Sequence, residues 1–458
     1  MKATITFAGG VENVTGAHFL FDINNTRIAV DCGLEQGSHE ADEHNREDFF
    51  YDPSSVDYLF ITHAHLDHIG RIGAFVRNGF RGPIFSTPVT KRIAKVMLDD
   101  ALGIMEHEHR DTGREPLYSR ENVEQAFSQW QDLPYHEIRE FDEGFRVNAL
   151  DAGHILGSAI MEFYVTGRDG SDKKVVFTGD LGNSPAPLLR DTEPVTDANY
   201  MIMESVYGDR NHESNEERDE VFRRTVIDTV NRGGTLVIPA FSLERTQIIL
   251  HILNTMFEDG SIPSIPVFLD SPLAIKLTRI FEEVRKHYNA DVTEDAKDGD
   301  SIFSFPSLEM TERVEDSKAI ENQQPPKIVI AGSGMSTGGR VMHHEIDYLP
   351  DPSTTLLLVG YQAVGTLGRD LEEGAREVEI FDKKVPVRAR IEKIEGFSSH
   401  KDSDHLVEFV ENTRNSLKTV FLAMGEQKAR TFLAQRLHDY LDVSVQCPER
   451  GEIVELEM

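Results

Sequence analysis

The chain has 458 residues, 39% of them hydrophobic, and 79 acidic against 47 basic side chains give it a formal charge of -32. That length exceeds one typical compact domain, and the acidic excess argues against tight, non-specific adhesion to nucleic acid or anionic lipid, so any polyanionic ligand must be held locally by metal ions or a few arginines. Cys32 and Cys447 are too few for a disulfide framework or a Cys-x-x-Cys zinc site, and no apolar run of about 18 residues or secretory h-region is present, so a cytoplasmic protein without membrane spans is expected.

Residues 4–8 and 27–31 read as strands from their β-branched and apolar alternation, with Gly9-Gly10 and Asn24-Asn25 as punctuation. Asp31 ends the second, where a carboxylate either caps a turn or orients a metal-bound imidazole. The apolar run 56–61 predicts the next strand and leads into His63-Ala64-His65-Leu66-Asp67-His68. Two histidines two apart point the same way in an extended segment, and the turn after them carries Asp67 and His68 to a second point. Imidazole with carboxylate suits two adjacent divalent cations, zinc above all. The competing reading makes Asp67 the N-cap of a helix through Ile69, Ile72, Phe75 and Val76. It explains Asp67 and leaves three histidines in six residues without a role.

Helical patterns at 89–101 and 120–130 flank a polar stretch with His107 and His109, read as a solvated loop or helix face. Strands predicted at 147–150 and 160–165 enclose Gly153-His154-Ile155-Leu156-Gly157, whose glycines let the chain turn sharply. A strand at 174–178 delivers Gly179-Asp180, and one at 200–203 ends in Glu204. Either segment alone would pass for a turn; their order after the histidine cluster makes them candidate ligands.

Beyond 208 the character changes. Strands at 236–239, 267–269 and 328–331 alternate with helical patterns such as 245–256, which implies a mostly parallel sheet, with 289–325 as its most irregular connection. From 386 the first style returns, with a strand at 387–391, a helix at 403–412 and a strand at 419–423. The domains are therefore expected at 1–207, 208–385 (inserted) and 386–458. Gly332 to Arg340 follows an apolar strand, and its backbone N–H groups suit a phosphate, although such a turn is more often a plain strand-to-helix connection. Arg340, Arg245 and Arg369 are candidate substrate contacts, each with a surface salt bridge as the rival fate.

The ordered set Asp31, His63, His65, Asp67, His68, His154, Asp180, Glu204 and His400 resembles the metallo-β-lactamase-fold nucleases of the β-CASP family, in particular the bacterial and archaeal RNases similar to the pre-mRNA 3′-end endonuclease. Residues 239–247, 269–272, 332–340, 360–369 and 396–400 look like that family too. The resemblance implies an α/β fold, an αββα metallo-β-lactamase sandwich with an inserted α/β β-CASP domain. It implies two zinc ions (Zn2+): His63, His65 and His154 on one, Asp67 and His68 on the second, Asp180 between them, and Asp31 behind. Glu204 and His400 would form a hydrogen-bonded pair, with Asp67 and His400 moving protons. Ser398, Ser333, Gly334, Arg340, Arg245 and Arg369 would meet substrate phosphate.

The implied activity is hydrolysis of single-stranded RNA by metal-activated hydroxide, internally or from the 5′ end, leaving 5′-phosphate and 3′-hydroxyl. No membrane partner is expected, and a homodimer is left open. One position departs from the pattern: where RNA-cutting relatives carry a histidine before Gly-Glu, this chain has Met424, a poor zinc ligand. DNA-cutting relatives often carry an apolar residue there. The alternatives are accordingly a DNA nuclease of the same family, or an RNA-binding scaffold with a weakened site.

Overall fold

The computed structural model describes residues 3–37, 39–142, 144–167, 170–295 and 301–458, so the first two residues and 296–300 of the irregular connection lie outside the described residues. The chain divides into two units, one of Met1–Ala186, Arg190–Asn211 and His400–Met458, the other of Pro187–Leu189 and His212–Ser399.

The first unit holds two seven-stranded sheets. One runs in the order Ile453–Leu456, Ala3–Gly9, His18–Ile23, Thr26–Val30, Tyr58–Phe60, Ile84–Ser86, Trp130–Asp132. The other runs Val445–Gln446, Thr419–Leu422, Tyr200–Met203, Asp172–Phe177, Ala159–Thr166, Phe145–Asp151, Arg139–Phe141. Alternation along each strand decides what each face meets. Met161, Phe163, Val175, Phe177, Ile202 and Phe421 join Phe7, Phe21 and Phe60 of the first sheet in one apolar cluster, with Phe163 ring centroids 5.1 Å from Phe60 and 5.6 Å from Phe21. Each such ring, fully buried, contributes roughly 1.5–3 kcal/mol. The intervening residues Ile160, Val176, Met201, Met203, Val420 and Leu422 turn the other way, onto Leu406 and Phe409 of the helix Ser403–Glu411 and Leu433 and Leu437 of Gln427–Leu441. Helices Ile72–Arg77, Pro88–Thr112 and Arg120–Gln129 pack together and reach the first sheet at Trp130–Asp132, completing the αββα sandwich.

The polar stretch with His107 and His109 is not a break but the last turns of Pro88–Thr112, which ends at Gly113 with φ 76°. Gly103 costs a helix only about 1 kcal/mol, and no proline intervenes.

The second unit is built on a six-stranded sheet ordered Leu308–Met310, Val267–Asp270, Lys327–Ala331, Thr235–Pro239, Thr355–Val359, Arg390–Ile394, with every neighbouring pair parallel. The unit runs from His212 to Ser399, with Pro187–Leu189, where 208 and 385 were expected. The strand expected at 387–391 as a return to the first unit is instead Arg390–Ile394, paired with Thr355–Val359, and the unit extends to Ser399. Its charges, Arg390, Glu392 and Lys393, suit the open edge of a sheet, and in sequence they imitate a one-sided antiparallel strand.

Candidate metal centre

The site is assembled at strand ends of the first unit. After Tyr58–Phe60 the chain turns at Thr62, whose N–H and hydroxyl donate to the two carboxylate oxygens of Asp31 at 2.8 and 2.7 Å. Asp31 Oδ2 also lies 2.7 Å from His68 Nδ1, which leaves Nε2 of that ring facing the site. Such a carboxylate behind an imidazole fixes its tautomer and raises its basicity as a ligand. The short helix Leu66–Ile69 has His65, not Asp67, at its N-cap, so capping is not the work of Asp67.

His154 sits in the loop 152–158, where the Ser158 hydroxyl accepts from the N–H groups of His154 and Ile155 at 3.1 and 3.3 Å. Asp180 arrives on the loop after Asp172–Phe177, and Gly182 lets that loop lie against the first: a Cβ there would stand 2.0 Å from the Gly153 carbonyl oxygen.

Four atoms converge. His63 Nε2 and His65 Nδ1 are 3.1 Å apart, His154 Nε2 is 3.2 Å from His65 Nδ1, and Asp180 Oδ2 lies 3.5 Å from both His63 Nε2 and His154 Nε2. Ligands on a tetrahedron about 2.0–2.1 Å from zinc are roughly 3.3 Å from one another, so the spacing fits that ion. The other oxygen of Asp180 faces a second group: His68 Nε2 lies 3.3 Å from Oδ1 and 3.8 Å from Asp67 Oδ2. His68 Nε2 and Asp180 Oδ1 are buried without a hydrogen bond, an arrangement costly in a protein unless a cation lies between them. Both groups form clusters compact enough to hold a metal ion.

Electrostatics agree. Burial, then the neighbouring His68, pushes the His63 imidazole well below its usual range, which favours the neutral form that a metal ion requires of an imidazole. Burial opposes charge on His68, yet Asp180, Asp31 and Asp67 outweigh it and raise its affinity for a proton. Burial would likewise raise Asp180, but His68 and His63 hold it well below the carboxylate range. Burial lifts Asp67 to about 6, against the pull of His68. A cation bound between these groups would take the place of the proton on His68.

His400 lies beside them. Its Nδ1 is 3.1 Å from Glu204 Oε1 and 3.9 Å from Asp180 Oδ2, and its ring centroid is 4.5 Å from that of His154. Glu204 Oε1 is fixed by the Leu181 N–H at 2.7 Å. Burial disfavours the imidazolium, but Glu204 and then Asp180 overcome it and raise His400 to about 9.

Met424 does not join the ligands. Its sulfur approaches Gly10, where a Cβ would stand 2.7 Å from Sδ, and its side chain belongs to the apolar cluster between the sheets.

The remaining candidates lie in the second unit. Arg340 spends its guanidinium on Asp270 Oδ1 at 2.6 Å and on the carbonyls of Thr311 and Glu312 at 2.8 Å. Arg369 pairs with Glu373 at 2.6 Å, and Arg245 is buried, its Nη1 3.3 Å from where a Cβ on Gly360 would be. The Ser333 hydroxyl accepts from the Thr337 N–H at 2.9 Å, Gly334 lies against Phe241, and the buried Ser398 donates its N–H to the Glu395 carbonyl at 2.9 Å.

Sequence reading missed Thr62 and Ser158, which hold the histidine turn and the His154 loop. Each is a hydroxyl residue next to a ligand segment, a weak signal for an N–H or carboxylate partner. It also missed Lys401, a buried lysine whose Nζ donates to Ser184 Oγ at 3.0 Å in the loop that follows Asp180.

Among the described residues, no helix is long and apolar enough to cross a membrane. The Metallo-beta-lactamase superfamily domain matches residues 20–183, the Beta-Casp domain residues 246–371, and the Zn-dependent metallo-hydrolase RNA specificity domain residues 384–448. The chain is similar to Ribonuclease TTHA0252 of Thermus thermophilus, 34% identical over 94% of this chain and 94% of that one. It is 29% identical to the Transcription termination factor FttA of Methanosarcina mazei, over 99% of this chain and 71% of that one. It is also 29% identical to an RNase J-like protein of Methanocaldococcus jannaschii, over 98% of this chain and 99% of that one. Likeness along nearly the whole length of a ribonuclease makes this chain a member of the β-CASP family of metallo-β-lactamase-fold nucleases, which are metal-dependent hydrolases.

Proposed function

We propose that this chain hydrolyses single-stranded RNA with two zinc ions, internally or from the 5′ end, leaving a 5′-phosphate and a 3′-hydroxyl. The observation that carries the reading is Asp180, whose Oδ2 closes the group of His63, His65 and His154 while its Oδ1 faces Asp67 and His68. RNA stands ahead of DNA because a ribonuclease is similar along almost the full chain and an RNA specificity domain matches residues 384–448. Met424 is the observation that favours DNA.

When bound, the zinc ions supply a water-derived nucleophile at neutral pH and positive charge for the phosphate in the transition state. His63, His65, His154 and Asp180 would hold one ion, and Asp67, His68 and Asp180 the other. Asp31 aims His68 and keeps its Nδ1 engaged, so that Nε2 alone is offered. His400 is aimed by Glu204, whose carboxylate 3.1 Å away favours the protonated ring, and this suits it to protonate the departing 3′-oxygen. A general acid of this kind contributes roughly 10² to 10⁴ in rate. None of these steps requires a 2′-hydroxyl.

Labelled single-stranded RNA and DNA of one sequence, offered to the purified protein with metal content measured in parallel, test the reading. Two zinc ions per chain and preferential cutting of RNA are expected. His400→Ala should keep its zinc and lose roughly 10² to 10⁴ in rate, whereas Asp67→Ala should lose both the rate and part of the zinc. Equal or faster cutting of DNA would overturn the choice of substrate, and an unchanged rate in His400→Ala would remove it as the acid.

A further inference from the structure

In the second unit the strands Thr235–Pro239 and Lys327–Ala331 are parallel neighbours, so their carboxyl ends open side by side. Parallel sheets bind ligands at that edge. Phe241 follows the first of these strands and leaves 36% of its surface in solvent.

The ring is held, not loose. The Ala240 N–H donates to the Ala331 carbonyl at 2.9 Å, and the Phe241 carbonyl accepts from both the N–H and the hydroxyl of Thr246, at 3.2 and 2.8 Å. Beneath it, Gly334 gives way: a Cβ there would stand 2.7 and 2.9 Å from ring atoms Cδ2 and Cε2. Gly334 is itself fixed, its carbonyl accepting from the buried Gln362 Nε2 at 3.1 Å. An aromatic ring fixed in this way stacks on a planar partner with little further loss of freedom.

Charge says which partner. A chain at -32 gains little from phosphate attraction, and Arg340 and Arg369 are already committed within the unit. Away from the metal ions, affinity for a nucleic acid then gains most from contacts that do not depend on the phosphates. Base stacking on an exposed aromatic ring is such a contact, and it accepts any base.

We propose that Phe241 is a stacking platform for one unpaired nucleobase of the substrate. The inference rests on the nuclease reading above and adds a residue of the second unit that grips a base of the strand.

The test uses the full chain carrying Asp67→Asn to stop turnover, and single-stranded RNA with 2-aminopurine or an abasic residue stepped along successive positions. Phe241→Leu should weaken binding roughly tenfold to a hundredfold, while Phe241→Trp stays close to the parent. One position should show quenched 2-aminopurine fluorescence, lost in Phe241→Leu. An abasic residue there should weaken the parent by a similar factor and leave Phe241→Leu unaffected. Binding of Phe241→Leu within twofold of the parent, or the same abasic penalty in both proteins at every position, overturns the platform. Should Phe241→Leu fail to fold, the abasic series on the parent still decides, because no costly position means no stacked base. A single-stranded DNA arm separates the two claims: binding of DNA alone by the Asp67→Asn chain, with cutting of DNA alone by the unsubstituted chain, would sink the choice of RNA and leave the platform standing, since the bases stack alike. Failure to bind either polymer would sink both.

Discussion

Asp180 follows the strand Asp172–Phe177 and Asp270 ends the strand Val267–Asp270, and both are buried, yet their neighbours differ in kind. Asp270 is surrounded by donors: Thr311 Oγ1 and Arg340 Nη1 reach Oδ1 at 2.6 Å, while Ser317 Oγ at 2.6 Å and His344 Nε2 at 2.7 Å reach Oδ2. Asp180 faces imidazole nitrogens of His63, His68 and His154 at 3.3 to 3.5 Å, and its Oδ1 has no hydrogen bond. A carboxylate fully supplied with donors holds a fold together. One set among lone pairs is shaped for a cation. The same residue type near the carboxyl end of a strand thus serves two ends, and the neighbours decide which.

Exchanging each carboxylate for an amide tests that contrast most severely. Asp180→Asn should cut the cleavage rate by roughly 10⁴, because both ion positions lose a charged ligand, with metal analysis showing fewer than two zinc ions and circular dichroism showing the strands intact. Asp270→Asn should do the reverse. Breaking a buried charge network costs about 3 kcal/mol, a drop of roughly 6–12 °C in the melting of its unit, with zinc content unchanged. If Asp270→Asn released zinc, or Asp180→Asn kept both ions and full activity, the distinction between the two acids would be wrong.

How far the sequence discloses this difference depends on the length scale of each contact. His63, His65, Asp67 and His68 are legible because strand and turn geometry alone bring them together within six residues. His154, Asp180 and His400 are legible only as an ordered set, since nothing local in Gly153-His154 or Gly179-Asp180 separates a ligand from a turn residue. Asp270 was noticed only as part of a family segment. Its partners Thr311, Ser317, Arg340 and His344 come from three separate stretches, and helical spacing links only the last two. Arg340 misled for the same reason: an arginine after a glycine-rich turn looks offered to phosphate until its internal partners are seen. The edge strand Arg390–Ile394 misled because sheet membership is set by what pairs with it, which its own charges do not encode.

Acid should reveal the second aspartate without any mutation. Burial would raise Asp270, but hydrogen bonds from His344, Ser317, Thr311 and Arg340 more than compensate and hold it at about 2 against an ordinary 3.8. A depressed carboxylate stabilises the fold fully above its unfolded value, and that stabilisation is lost as pH falls from about 3.8 through about 2. The loss should be on the order of 1–2 kcal/mol once solvent screening is allowed for. Comparing melting of parent and Asp270→Asn from pH 6 to pH 2 reads it directly. The gap between them should narrow as pH drops through that window, and a gap independent of pH would mean that the charge of Asp270 contributes nothing.

The smallest effect concerns the two proposed ion positions themselves. The first has four converging ligand atoms; the second, among the described residues, has Asp67, His68 and Asp180 alone, with Met424 turned toward Gly10. Met424 has φ 46°, a left-handed conformation that histidine tolerates better than most residues, and with Asp31, His68 and Glu204 it lines a cavity of about 10 Å³. Met424→His should therefore be accommodated and, by bringing a nitrogen toward the second position, tighten the more weakly held ion roughly tenfold. Competition against a chromophoric chelator would show it as a shift in the second binding step with the first unmoved. An unmoved second step would mean that another group, water included, already completes that position, and Asp180 would then be bridging two sites of equal strength.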